Sequence, residues 1–451
     1  MEVINRYKWT ILFPILIFAV VTAGMILYFY TQNQDTAQDH VTLGQQYLSN
    51  KDYENAEEEL SIAMEADPSD WNTRQMLVDA YTEDGKSDLA EAVLQDAFND
   101  NAPEPAVADR LIELLQSMGN TKAALQLTEM MIQSTDLDTY YEKRQELLST
   151  LNDLPRNYAA GLTQELIIKD GKVESRGNNK AGQLGVPVSA DTLQVSDFAS
   201  AGFDGDASRV YAIGNTSYVL DTAGDLYAAG VNRRGEYGTD YGTLSNSSGW
   251  TKVTKDGDCI SIAGTAGCLY LLKKDGSVWY TGENGKGGFG LCNVSEAGLH
   301  MVTINNITYV LTTSGNLYQN TYGVDDALTF HRRGSDISEF TADSDGNIFM
   351  LKTDGELCGS RLPDQAPSNW QTGEDSYIPD FTTEMMAAAQ DALLVLDSSG
   401  KIYRIGTDDF NVSEIGEKAS VLYWDNGYVI TEMDDQLYRY DPDTQKFTIL
   451  M

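Results

Sequence analysis

Histidine, cysteine and positive charge are scarce in this chain of 451 residues, and each scarcity argues against a class of function. The three histidines, His40, His300 and His331, lie far apart in the sequence, which leaves little material for histidine-based catalysis or a metal site. Lys and Arg total 31 against 68 Asp and Glu, so the formal net charge is −37. This charge repels phosphate backbones and anionic lipid surfaces, which argues against nucleic-acid binding and peripheral membrane docking.

The sequence also lacks the short motifs that organise catalysis. It contains no GxSxG nucleophile elbow, no P-loop, no HExxH helix and no zinc-spaced set of Cys and His. Its acidic clusters at 204–206, 343–347 and 434–435 are typical of turns, and the middle one lacks the downstream Glu of a calcium loop. We therefore expect no catalytic residue, no cofactor and no metal ion, and we interpret the chain as a non-enzyme.

The four cysteines, Cys259, Cys268, Cys292 and Cys358, fall in the C-terminal part of the chain without a CxxC pair. The spacing of Cys259 and Cys268 allows them to lie opposite one another on a hairpin centred near residues 263–264. A disulfide would then form in an oxidising compartment. Two small core residues with reduced thiols are the alternative, and the sequence leaves this choice open.

A run of 22 uncharged, mostly apolar residues at 9–30 is long enough to cross the ~30 Å hydrocarbon layer of a membrane. Arg6 and Lys8 precede it, and no Lys or Arg follows before Lys51. Because positive flanks stay inside, this predicts a cytoplasmic segment at 1–8, a transmembrane helix at 9–30 and a linker at 31–36, with all later residues extracytoplasmic. A cleaved signal peptide is disfavoured, since the run continues past its only cluster of small residues.

Five positions recur at a spacing of 34 residues between 37 and 138. Paired amphipathic helices have this period, and small residues at one position let the two helices approach closely. The pattern resembles the tetratricopeptide repeat (TPR) family, with three units and a capping helix over 37–151. The resemblance implies a concave groove that binds peptides or partner domains; a spacer or assembly surface is the alternative. The close-approach positions are Ala56, Ala90 and Ala124.

A second repeat fills residues 152–451, where short apolar runs alternate with tight turns. Asp-Gly between alternating apolar residues predicts a hairpin, because Gly accepts the positive φ that the turn requires. The turn returns seven times at intervals of 35 to 53 residues, which favours a β-propeller of about seven blades over an open sandwich. The turn positions are Gly171, Gly224, Gly276, Gly315, Gly355, Gly400 and the degenerate Asp435.

The first three of these units share a further signature, G-x-N-x-x-G-x-[aromatic or Leu]-G, after the second strand of the hairpin. Its glycines permit a compact loop, and its Asn can hydrogen-bond the amides of that loop. The signature resembles the repeat of the regulator of chromosome condensation (RCC1) family of seven-bladed propellers, which implies protein recognition on a ring face or rim. The signature residues are Gly177, Asn179, Gly182, Gly185, Gly230, Asn232, Gly235, Gly238, Gly282, Asn284, Gly287 and Gly290.

Together these patterns predict a multidomain α and β protein. Its parts are an N-terminal transmembrane helix, an α-solenoid of three TPR-like helix pairs and a C-terminal all-β propeller of about seven blades. We expect a membrane-anchored, extracytoplasmic, non-catalytic scaffold that binds protein partners through the helical groove and the propeller face. The negative charge favours basic partners or divalent ions.

Two other functions stay open at this point. A carbohydrate- or cell-wall-binding protein could use a tryptophan surface for sugar stacking, although tryptophans more often fill the space between blades. A cryptic hydrolase is the second alternative. The tryptophans concerned are Trp250, Trp279, Trp370 and Trp424.

Overall fold

The chain divides into two compact units, Met1–Leu137 and Asp138–Met451. In the described residues, the first unit consists of helices and the second consists mainly of β-strands. The computed structural model describes residues 37–101, 104–238, 249–254, 256–283, 288–304, 306–320, 327–343, 347–353, 355–360, 383–406 and 411–450.

Six described helices, which pack in chain order, form the first unit. Ala56, Ala90 and Ala124 lie in its second, fourth and sixth helices and are fully buried, so the helices can approach closely there. The predicted helical region is confirmed, and its assignment to the TPR family stays a prediction. The helices are α1 (37–49), α2 (Tyr53–Ala66), α3 (Trp71–Glu83), α4 (Ser87–Asn101), α5 (Pro105–Ser117) and α6 (Thr121–Thr135).

The predicted localisation as a single-pass membrane protein is contradicted. Along the described ranges, no helix is long and apolar enough to cross a membrane. The longest helices there have 15 residues, about 22 Å at 1.5 Å per residue, against ~30 Å of hydrocarbon. The predicted span 9–30 itself, with the flanks 1–8 and 31–36, lies outside the described residues.

The second unit opens with α7 (Asp138–Asn152), the helix that the sequence predicts as a cap of the helical repeats. It packs on two strands of the β-structure, β9 and β13. Arg144 Nη2 donates to Asp275 O at 3.2 Å, and Asn152 Nδ2 donates to Leu299 O at 3.1 Å. This helix is therefore part of the same compact unit as the strands that come after it.

The strands of the second unit form seven antiparallel sheets in the described residues, six of four strands and one of three. Each sheet is built from consecutive strands, so each is one blade, and the predicted seven-bladed propeller is confirmed. Blade 1 comprises β1 (Tyr158–Ala160), β2 (Gln164–Lys169), β3 (Lys172–Asn178) and β4 (Gln194–Ser200). Blade 2 comprises β5 (Ala207–Ile213), β6 (Thr216–Asp221), β7 (Leu226–Gly230) and β8 (Thr251–Lys252). Blade 3 comprises β9 (Cys259–Thr265), β10 (Cys268–Lys273), β11 (Val278–Gly282) and β12 (Gly290–Leu291). Blade 4 comprises β13 (Gly298–Ile304), β14 (Ile307–Thr312), β15 (Leu317–Asn320) and β16 (Phe330–Gly334), and blade 5 comprises β17 (Ile337–Ala342), β18 (Ile348–Lys352) and β19 (Leu357–Ser360). Blade 6 comprises β20 (Thr383–Ala388), β21 (Ala392–Asp397), β22 (Ile402–Gly406) and β23 (Val412–Gly416). Blade 7 comprises β24 (Ala419–Asp425), β25 (Tyr428–Met433), β26 (Gln436–Asp441) and β27 (Lys446–Ile449).

The strand directions give the propeller two different faces. Because strands within a blade alternate in direction, the first–second turns and the third–fourth connections lie on one face, which we call the loop face. The second–third turns and the connections between blades lie on the other, the helix face. Helix α7 belongs to the helix face, since its Arg144 bonds the turn between β10 and β11. The signature loops come after third strands and therefore belong to the loop face.

Side chains close the ring, because the first and last blades share no strand. Arg156 stacks between the rings of Tyr211 and Tyr423, with its Cζ 4.9 Å and 4.8 Å from their centroids. Its Nη2 pairs with buried Asp425, whose other carboxylate oxygen accepts from Ala160 N at 2.6 Å. This buried ion pair and its aromatic walls join blade 7 to blades 1 and 2, beside an apolar cluster that Tyr158 and Ile167 of blade 1 form with Ile430 of blade 7.

The cysteines do not pair in the way that the sequence left open. Cys268 lies opposite Thr265, and Cys259 lies opposite Lys273, at the far end of the same hairpin. All four thiols are free. Burial raises the pKa of Cys259 and of Cys292 to about 12, so these two thiols stay protonated and are poor nucleophiles at neutral pH. The alternative of small core residues fits both of them.

Candidate interaction site on the loop face

The signature loop of blade 1 is built around one buried asparagine. Asn179 is fully buried, its Oδ1 accepts from Leu184 N at 2.9 Å, and its Nδ2 donates to Val186 O at 3.2 Å. Gly182 and Gly185 take φ angles of 80° and 78°, a region that other residues rarely adopt. The side-chain amide therefore closes a compact loop whose backbone curls around it.

Blade 2 repeats this construction with different exposed residues. Asn232 is buried, and its Oδ1 accepts from Tyr237 N at 2.9 Å. Gly235 and Gly238 have φ angles of 84° and 69°, close to those of their counterparts in blade 1. The sequence predicted the types of residue involved, and the structure shows the same bond geometry in both blades.

The first glycine of the signature is needed because a carbonyl approaches it closely. A Cβ on Gly177 would lie 2.3 Å from Thr163 O, and one on Gly230 would lie 2.4 Å from Asn215 O. In blade 3 the corresponding Gly282 would place a Cβ 2.2 Å from Gly267 O. Each of these carbonyls belongs to the first–second turn of the same blade, so the signature loop and that turn pack directly together.

The structure reveals one frame residue that the sequence pattern treated as variable. Gln183 Oε1 accepts from Ala181 N, and Glu236 Oε2 accepts from Arg234 N, both at 2.8 Å. Both side chains are buried, and burial raises the pKa of Glu236. In the sequence, the only sign of this role is that Gln183 and Glu236 are both long side chains with an oxygen acceptor. Two examples are too few to define a pattern.

Each loop frame is also bonded to the next blade. Ser217 Oγ in β6 donates to Gln183 O at 2.7 Å, and Thr281 Oγ1 in β11 donates to Gly235 O at 2.9 Å. Both hydroxyls are buried. The frames of blades 1 and 2 are therefore rigid parts of the ring, and they set the position of whatever side chains they expose.

The exposed tips of these loops carry positive charge. Lys180 and Arg233 directly follow the buried asparagines and are exposed. Within the described residues, neither has an acidic partner within 4.0 Å. Arg234 is also exposed and pairs with Glu283 of blade 3 at 3.3 Å. Two cations without an acidic partner in the described ranges thus lie at equivalent positions on neighbouring blades.

Blade 3 is only partly described at this point. Its Gly282 and Gly290 are present at the ends of the loop, while Asn284 and Gly287 lie outside the described residues. Phe289 packs on the blade 2 loop, since a Cβ on Gly238 would lie 2.2 Å from its ring. Blades 2 and 3 therefore meet through this aromatic ring.

The tryptophans do not form a common surface in the described parts of the chain. Trp250 Nε1 donates to Ala201 O at 2.8 Å and its ring meets Phe203 edge-on, between blades 1 and 2. Trp279 and Trp424 are half-buried and pack against hydrophobic clusters between blades. Trp370 lies outside the described residues. Packing between blades explains the three that are described.

Comparisons with known proteins identify no family for this chain. No family model matches it, and no curated protein does. Solved structures similar to it include human WBSCR16, with 14% identity, a TM-score of 0.47 and coverage of 61% of this chain and 85% of that one. Another is Prp20p, the RCC1 of Saccharomyces cerevisiae, with 14% identity, a TM-score of 0.45 and coverage of 61% of this chain and 81% of that one. The structure of Prp20p was reported together with its binding to Gsp1p and histones. BamB from Moraxella catarrhalis has 11% identity, a TM-score of 0.38 and coverage of 63% and 81%. These values are too low to carry an argument about function.

Proposed function

We propose that the protein is a non-catalytic scaffold whose propeller binds a protein partner through the loop face of blades 1 to 3. The observation that carries this proposal is the separation of frame and tip in the signature loops. Asn179 and Asn232 occupy equivalent buried places and make the same bond, whereas the residues directly after them differ and are exposed. A rigid frame that presents varied side chains lowers the ordering cost of binding.

The two faces of the propeller support this choice of surface. Helix α7 packs on β9 and β13 from the helix face and covers part of it. The loop face carries Lys180 and Arg233 without acidic partners in the described residues, and Leu162, in the first turn of blade 1, is 67% exposed. Arginine and exposed apolar side chains are typical of interfaces between proteins.

Binding also explains the buried chemistry better than catalysis does. Across the described residues, no group of three or more His, Cys, Asp or Glu is arranged to hold a metal ion. The buried thiols of Cys259 and Cys292 are held protonated, and buried Asp425 is engaged by Arg156 and Ala160. These three interior groups therefore serve packing and ring closure.

We assign the helical region a second binding role within the same proposal. Its three helix pairs, with Ala56, Ala90 and Ala124 at the points of close approach, fit the groove-forming arrangement that the TPR resemblance implies. A scaffold with two such units would hold two partners, one on each unit.

Site-specific photocrosslinking tests the proposed binding face. A photoreactive amino acid is placed at Lys180, at Arg233 or, as a control on the same face of blade 7, at Asp443, in the full chain and in the cells that make it. We expect the same partner protein to be captured from Lys180 and Arg233 and not from Asp443. Equal capture from all three positions, or none from Lys180 and Arg233, would overturn the proposal.

A further inference from the structure

Three large apolar side chains are exposed on and beside β12, the last strand of blade 3, with Phe289 packed towards blade 2 and Leu328 packed from blade 4. Phe289, Leu291 and Leu328 are 37%, 56% and 40% exposed. Leu328 lies against blade 3, since a Cβ on Gly290 would be 3.0 Å from its Cδ2. Contiguous exposed apolar side chains on a folded domain mark interaction sites.

Three consecutive exposed residues, a histidine and two arginines, lie on the last strand of blade 4. His331, Arg332 and Arg333 lie in β16, the last strand of its sheet. His331 lies opposite Gln319, whose Oε1 accepts from Arg333 Nε at 3.0 Å, whereas Arg332 lies opposite Tyr318. Because adjacent residues of a strand alternate sides, Arg332 and Arg333 flank both sides of this edge strand. We call these three residues, with Phe289, Leu291 and Leu328, the rim patch.

Among the described residues, the arginines of the rim patch have no acidic partner, whereas most other described arginines have one. Arg156, Arg176 and Arg404, for example, pair with Asp425, Glu165 and Asp391. In the described residues, no carboxylate lies within 4.0 Å of Arg332 or Arg333. In a chain with 68 acidic and 31 basic residues, two adjacent arginines without an acidic partner in the described part of the chain are unexpected.

The described strands of blade 4 contain no acidic residue, and the carboxylate of Glu296, which precedes them, accepts from Thr312, Asn316 and Tyr318 instead of pairing with an arginine. The ranges 298–304, 306–320 and 327–334 contain no Asp or Glu. Charged side chains on an edge strand can simply prevent edge-to-edge association. That role does not explain the neighbouring exposed Leu291 and Leu328, which make association easier.

We propose that the rim patch binds an acidic segment of a partner protein that also carries apolar side chains; this rests on the proposed function of the propeller as a protein-binding scaffold. Carboxylates of the segment would accept paired hydrogen bonds from Arg332 and Arg333, which Arg forms with carboxylates in a bidentate geometry. Its apolar side chains would cover Leu291 and Leu328. The charge of −37 repels nucleic acids and anionic membranes at long range, which favours a short acidic segment over a polyanion.

Peptide display on the full chain provides the test. A library of random 16-residue peptides is selected on the wild-type protein, and the affinities of enriched peptides are measured by fluorescence anisotropy. We expect enrichment of peptides that combine Asp or Glu with Leu, Ile or Phe. The double substitution Arg332→Glu with Arg333→Glu should weaken their binding at least about tenfold, since two charge-assisted pairs are lost.

Two matched controls separate local contact from general charge and hydrophobicity. Lys418→Glu with Lys446→Glu makes the same change in net charge on blade 7 and should leave binding unchanged. Leu291→Ser should weaken binding several-fold, whereas Ile449→Ser, at a side chain that is 60% exposed on blade 7, should not. Leu291→Ser also keeps the test decisive if the arginine variant does not fold.

Three outcomes would overturn the inference: no acidic enrichment, peptides that tolerate the Arg332 and Arg333 substitutions, or an equal loss in the blade 7 charge control. Peptides that bind the loop face, for example, would tolerate the Arg332 and Arg333 substitutions. The proposed function is tested separately, since capture from Lys180 and Arg233 does not depend on the rim patch. Capture there with no rim binding would leave the scaffold proposal standing and this inference refuted.

Discussion

Blades 1 to 3 and blades 4 to 7 share one hairpin but differ in the segment after its second strand. Gly224 and Gly276 in the first group and Gly315 and Gly400 in the second all turn at positive φ, between 75° and 86°. Only the first group continues into the signature loop. All seven blades nevertheless form sheets in the same ring. The hairpin is therefore sufficient to build a blade, and the loops add a feature that the fold does not require.

The two groups of blades meet where blade 7 closes on blade 1, and we call this boundary the seam. A substitution there should have the largest effect on the free energy of unfolding. Arg156→Met leaves the carboxylate of Asp425 buried without its partner, which we expect to lower the free energy of unfolding by about 3–5 kcal/mol. Urea denaturation measures it. Arg176→Met, which breaks a more exposed pair with Glu165 inside blade 1, is the control and should cost about 1 kcal/mol or less. Equal losses for both would show that ring closure does not depend on the Arg156–Asp425 pair.

The loop frame should show the next largest effect. Asn232→Ala leaves the buried amide of Tyr237 without its acceptor, so we expect a loss of about 1–3 kcal/mol in the free energy of unfolding. Asn178→Ala removes only a bond to the exposed Lys180 amide and should cost under about 1 kcal/mol. A negligible cost at Asn232 would mean that the frame is not rigid and that the contrast between the two groups of blades is superficial.

These residues also show how far the sequence could predict the structure. The hairpins, the blade number and the helical region were predictable because Gly at positive φ and the 34-residue period leave local signals. The seam was not, since Arg156 and Asp425 are 269 residues apart and neither stands out in composition. The pairing of Cys259 with Lys273 depends on register, which spacing alone did not fix. That Arg332 and Arg333 have no acidic partner among the described residues is likewise a property of the folded chain.

Glu296 and Glu236, one from each group of blades, should make the stability of the fold depend on pH in opposite directions. The larger change in stability is expected for Glu296. Burial raises its pKa, but donation from Asn316, Tyr318 and Thr312 outweighs this and lowers it below its usual value. Its carboxylate therefore stabilises the fold above the unfolded pKa of about 4.3, and this is lost as pH falls through the folded pKa. Glu296→Gln should cost about 1 kcal/mol at pH 7. Thermal unfolding should show the deficit shrinking at lower pH, and a deficit that is independent of pH would contradict this.

Glu236 in blade 2 should show the smallest effect, in the other direction. Burial raises its pKa, so its contribution to stability is greatest below the unfolded pKa and is lost as pH rises through the folded pKa. Glu236→Gln reproduces the residue that blade 1 has at this position, Gln183, and keeps the acceptor. We expect the midpoint of thermal unfolding to rise by about 1–3 °C at pH 7 and the gain to vanish near pH 4. A decrease at pH 7 would show that the charge itself is needed.

The most direct test is to capture the partner with a protein that is changed at an exposed loop tip. It shows whether the tips of the signature loops serve binding and not the stability of the fold. The photoreactive residue is kept at Lys180, Arg233 is changed to Glu, and capture and unfolding are measured on the same full-length protein. We expect capture to fall at least about tenfold while the free energy of unfolding stays within about 0.5 kcal/mol of the parent. Undiminished capture, or a loss of stability as large as that expected for Asn232→Ala, would contradict a division between frames that fold and tips that bind.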